Sequence, residues 1–112
     1  MKELSIQILR CVDDEHQPGW IECSFMDAQG RSHTVIDKIP IFSMDPALDP
    51  LDRNTKYPQP GGVACEILDA WRDPQGRDLL RIATLESTEK LSEFVVLASQ
   101  LSEAQTERTA ME

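Results

Sequence analysis

Cys23 and His33 are the two side chains best placed to do chemistry together, because a thiol beside an imidazole is the start of a thiolate nucleophile. They lie on successive runs of alternating residues, and the preferred pairing of those runs sets them diagonally near one another on one face. That face also carries Ile21 and Phe25. A thiol between two such side chains is desolvated, which raises its pKa and makes it inert, so a buried structural cysteine is the simpler reading. His16 falls in an acidic turn, and no G-x-S-x-G, H-E-x-x-H or Gly-rich phosphate loop occurs. No catalytic residue is assigned, and no cofactor is expected.

Metal chemistry finds little more. Cys11, Cys23 and Cys65 lack C-x-x-C spacing, and their convergence with His33 on one tetrahedral site would need ligands from separate strands. Asp45, Asp49 and Asp52 lack the alternating oxygen ligands, central Gly and terminal Glu of an EF-hand. No metal site follows, and the expectation for all three cysteines is reduced thiols without a disulfide.

Recognition is the alternative. Tyr57, in a Pro-rich stretch, and Trp20, on the less apolar face of its strand beside Lys38, have the character of interface anchors. Their plainer roles are a pin holding the loop to the barrel and a ring stacked on the Lys38 stem. Asp45, Asp49 and Asp52 would face lysines or arginines of a partner; the alternative is a loop that merely covers an open end of the barrel and buries Leu48, Leu51 and Tyr57 against core residues. The chain has 20 acidic and 11 basic residues, a formal charge of -9, which repels nucleic acid and would steer a basic protein toward it, although the plainer role of surplus acid is to keep a small domain soluble.

The elements that carry these residues are strands. The chain has 112 residues, 40% apolar and 28% charged, enough for one folded core. Residues 4–12 alternate as a first strand, with Leu4, Ile6, Ile8, Arg10 and Val12 on one face. Residues 20–26 and 31–38 form a hairpin about Asp27-Ala28-Gln29-Gly30. Residues 63–72 and 77–85 form a second about Asp73-Pro74-Gln75-Gly76. Both contain D-x-Q-G-R, a turn in which Gly30 and Gly76 are expected at positive φ. The second turn sets Arg72 opposite Asp78, Trp71 opposite Leu79, Asp69 opposite Arg81 and Leu68 opposite Ile82. Carried to the first hairpin, this register puts Ile21, Cys23, Phe25 and Val35 on the core face. A short edge strand is expected over 39–42, a surface loop over 43–62, a last strand over 93–98 and a cap at Ser99 to Leu101.

The predicted fold is therefore all-β: a small barrel or strongly curved antiparallel sheet of about six or seven strands with little helix. Residues 1–102 form one domain, followed by a polar tail over 103–112. The first residues alternate rather than forming the apolar block of a signal peptide, and no segment has the length of a membrane span. The expected location is the cytoplasm, without membrane contact.

The span from Trp20 to Leu101, with its two D-x-Q-G-R turns and Phe94-Val95-Val96-Leu97, resembles small uncharacterised bacterial proteins. More distantly, it is similar to the small β-barrel domains of translation factors. The resemblance implies a fold and no activity at particular residues. Three functions remain open. The first is a protein-binding module without catalysis, accessory or immunity-like, with a basic protein partner. The second is a small enzyme with a Cys/His site, and the third is a structural subunit that completes a homodimer.

Overall fold

The structure, a computed structural model, describes residues 2–15 and 18–103. Among these described residues, eight antiparallel strands follow in chain order: β1 (Lys2–Asp13), β2 (Trp20–Met26), β3 (Ser32–Lys38), β4 (Phe42–Met44), β5 (Gln59–Arg72), β6 (Asp78–Ala83), β7 (Glu93–Leu97) and β8 (Leu101–Glu103). They pair in the order β3-β2-β1-β5-β6-β7, with β4 beside β5 and β8 beside β1, and the sheet curls into a half-barrel. The chain is all-β, as its alternation implies. The expected count of six or seven rises to eight because β4 and β8 are too short for periodicity to register.

The concave face holds the core. Leu4, Ile6 and Ile8 meet Ile21, Cys23, Phe25 and Val35 from the first hairpin, and Val63, Ile82, Phe94 and Val96 from the second half of the chain. Leu4, Val63 and Phe42 lie directly opposite one another across β1, β5 and β4. Each fully buried aliphatic side chain in such a row contributes about 1.5–3 kcal/mol.

Both D-x-Q-G-R turns are built alike. Gly30 and Gly76 each have φ of 83°. Asp27 Oδ1 accepts from the amides of Gln29 and Arg31, and Asp73 Oδ1 accepts from those of Gln75 and Arg77. The two tips touch, where Arg77 Nη1 donates to the Ala28 carbonyl at 3.2 Å. Arg72 opposes Asp78, Trp71 opposes Leu79 and Asp69 opposes Arg81, as expected.

Local departures have physical causes. Ile67, not Leu68, opposes Ile82, because a bulge between Ile67 and Asp69 inserts an extra residue into β5. A comparable shift after Ile8 puts Cys11 opposite Ile21, so Cys11 and not Val12 packs on the core. Residues 39–41 form a 3-10 turn instead of an edge strand. Pro40 fixes its own φ and lacks an amide, and Phe42 N–H closes the turn on the Ile39 carbonyl. The segment Ala98–Gln100 is a second 3-10 turn, after which β8 pairs with the start of β1 and carries the fold to Glu103. The expected tail falls otherwise on residues 104–112, which lie outside the described residues, as does His16.

Candidate functional site

Between β4 and β5 the chain does not wander. Residues 45–58 make three successive turns, each begun by an aspartate whose Oδ1 accepts a backbone amide two residues on. Asp45 accepts from Ala47 at 2.8 Å, Asp49 from Leu51 at 3.0 Å and Asp52 from Asn54 at 2.8 Å. The carbonyls of the same three aspartates accept from Leu48, Asp52 and Thr55. Pro46 and Pro50 follow the first two aspartates, where their fixed φ suits the second position of a turn.

This segment is fastened to the barrel. Leu48 and Tyr57 pack against the core, Pro50 is buried, and the Tyr57 hydroxyl donates to the Pro50 carbonyl at 3.0 Å. Burial pushes the Tyr57 phenol above its ordinary pKa, with Cys11 and Asp49 adding to the effect. Leu51 lies so close to Gly19 that a Cβ there would meet Leu51 Cδ2 at 2.8 Å and the Asp13 carbonyl at 2.9 Å. The three aspartates remain exposed. Of the residues singled out by sequence, Asp45, Asp49, Asp52 and Tyr57 thus belong to one ordered structure. Trp20 projects from the other face of β2, where the Lys38 ammonium stands 5.9 Å from its ring centroid.

Beside the start of this loop lies an open groove of about 520 Å³ whose charged lining groups are Glu3 and Asp45. Pro46, Pro60 and the Gly61–Gly62 pair complete its walls. Ser43 Oγ donates to Glu3 Oε2 at 2.8 Å, and a Cβ on Gly62 would meet Glu3 Oε1 at 2.5 Å, so glycine leaves room for the Glu3 carboxylate to lie across β5. Nothing in the sequence singles out Glu3. It looks like one more polar residue of an alternating strand, and only the pairing of β1 with β5 brings it to the groove.

The Cys23–His33 pair does not assemble as chemistry. Cys23 is fully buried, and burial, with Glu22 nearby, pushes its thiol up to about 12. His33 opposes Phe25 and is taken by Asp27 and Glu89. The three cysteines are free thiols, and burial also pushes Cys65 upward. Among the described residues no group of three or more His, Cys, Asp or Glu is placed to hold a metal ion, and no helix is long and apolar enough to cross a membrane.

No protein-family model, curated protein or solved structure matches the chain.

Proposed function

We propose that this chain is a protein-binding module without catalytic activity, and that it holds a basic segment of a protein partner in the groove beside Asp45 and along the acidic turns that follow. The carrying observation is the groove itself: a concave space whose charged walls are two carboxylates, Glu3 and Asp45, continuous with a loop already ordered by its own turns. A surface ordered in advance loses little conformational entropy when a partner arrives. Asp49 and Asp52 extend the negative edge, although Arg53 and Lys56 offset part of it, so the groove end is the anchoring end. Tyr57 serves this surface from beneath, holding the loop through Pro50, and Trp20 with Lys38 forms a separate contact area. The working compartment in this reading is the cytoplasm, where cysteines remain thiols.

The test uses an oligolysine peptide as probe and the variant Asp45→Asn, Asp49→Asn, Asp52→Asn. Asparagine preserves the side-chain turn bonds and removes only charge, so the melting temperature should stay nearly constant. Association should slow several-fold at low salt, and the difference should shrink as the screening length falls to about 8 Å at physiological ionic strength. Unchanged capture at low salt would remove the acidic loop from the site.

A further inference from the structure

We infer that His33 is a proton-operated latch that holds the loop between β6 and β7 against the edge of β3. The imidazole is buried, 6% exposed, with its two nitrogens turned toward two carboxylates. Nε2 lies 2.8 Å from Asp27 Oδ2 in the first hairpin turn, and Nδ1 lies 3.2 Å from Glu89 Oε1 in the β6–β7 loop. Carboxylate oxygens only accept, so both contacts are hydrogen bonds only when both ring nitrogens carry hydrogen. The site is shaped for an imidazolium between two anions. Phe25 and Phe94 pack on it with ring centroids 5.4 Å and 4.7 Å away, so the two carboxylates are what offset the cost of burying a charged ring.

These are the groups that meet the ring: Asp27 from the β2–β3 turn, Glu89 from the β6–β7 loop, and the uncharged rings of Phe25 and Phe94. When the ring loses a proton, one nitrogen becomes an acceptor facing a carboxylate. Asp27 keeps the remaining N–H. Its side chain is 10% exposed and already fixed by the amides of Gln29 and Arg31, whereas the Glu89 side chain is 60% exposed and free to turn away. The latch therefore holds while both ring nitrogens carry hydrogen and weakens when Nδ1 gives up its proton. At the acid end Asp27, held below the usual carboxylate range, keeps its charge to lower pH than an ordinary aspartate.

What the latch controls is local. Thr88 N–H, next to Glu89, donates to the Thr34 carbonyl of β3 at 2.9 Å, and buried Ser87 accepts from the amides of Glu89 and Leu91. Loss of the Glu89 contact loosens this set together and uncovers the β3 edge at Thr34, a backbone acceptor then available to another chain.

Amide hydrogen exchange by NMR on the full chain, corrected for intrinsic rates, tests this alongside the titration of the His33 ring signals. Protection of Thr88 should fall about tenfold across the ring's titration, with the same midpoint. Glu89→Gln should remove that dependence without unfolding the protein, because an amide can donate to or accept from Nδ1 in either ring state. Glu89→Ala should leave Thr88 poorly protected at every pH. Protection that is flat through the ring's titration, a ring that shows no titration while the protein stays folded, or an unchanged pH profile in Glu89→Gln would each overturn the latch.

Discussion

Asp27 and Asp73 occupy equivalent places in two turns of the same pattern and differ in what their second oxygen meets. Asp73 Oδ2 takes Arg77 Nε at 2.8 Å, while Asp27 Oδ2 takes His33 Nε2. For Asp27, burial pushes the carboxyl up, but the His33 hydrogen bond and the amides of Arg31 and Gln29 outweigh it and hold it below the usual range. A depressed carboxylate stabilises the fold above its unfolded pKa, and that stability is lost as pH falls through the folded value. Thermal stability should accordingly drop below about pH 4. Asp27→Asn should lessen this acid limb, leaving the part due to Asp73 and Glu103, which are also held low. It should cost about 1–3 kcal/mol near neutral pH because His33 loses an ionised acceptor. A melting profile across pH that keeps its full acid limb in Asp27→Asn would show that other carboxylates carry it. Cys23 makes a separate prediction. With its thiol near 12 and no exposed surface, it should be labelled by a thiol reagent only as fast as the protein unfolds. Labelling within the mixing time of native protein would contradict this.

At the scale of elements, the hairpin turns do the most to set register. Replacing Gly30 or Gly76 by Ala forces a side chain into positive φ without a clash, since neither position has a neighbouring atom within 4 Å. Each should cost about 1–2 kcal/mol, measurable by denaturant unfolding, from backbone strain alone. Gly19→Ala should be worse, because the added Cβ meets both Leu51 and a backbone carbonyl and lifts the loop from the barrel. A smaller loss at Gly19 than at Gly30 would mean that the loop is not fastened there.

The hairpins were legible because D-x-Q-G-R specifies chemistry at each position. The bulges at Leu68 and Leu9 were not, since an extra residue in a strand leaves no mark on polarity. The ordered loop was half legible: Asp45, Asp49 and Asp52 stand out, yet three successive turns read in sequence as mere punctuation. Glu3 and Glu89 were missed because each acquires its role from a segment distant in the chain. β5 shows a related device. Among the described residues, Glu66–Arg72 pairs with β6 alone, and this edge is guarded by the bulge and by Asp69, whose carboxylate takes the Ala70 amide.

At the scale of the molecule, an open half-barrel needs a cover, and the 45–58 loop supplies one while presenting its carboxylates outward. That division explains how so long a connection remains ordered: Leu48, Pro50 and Tyr57 face inward, and Asp45, Asp49 and Asp52 face solvent. In the proposed reading, the overall charge of -9 is what steers a basic segment toward the groove. The most direct measurement is an NMR titration of isotope-labelled protein with the oligolysine peptide, read residue by residue at low and physiological salt. Shifts should concentrate at Glu3, Ser43, Asp45, Gly61 and Gly62, extend to Asp49 and Asp52, and weaken with salt. Shifts of similar size spread over all acidic surfaces, or concentrated away from the groove, would contradict binding there.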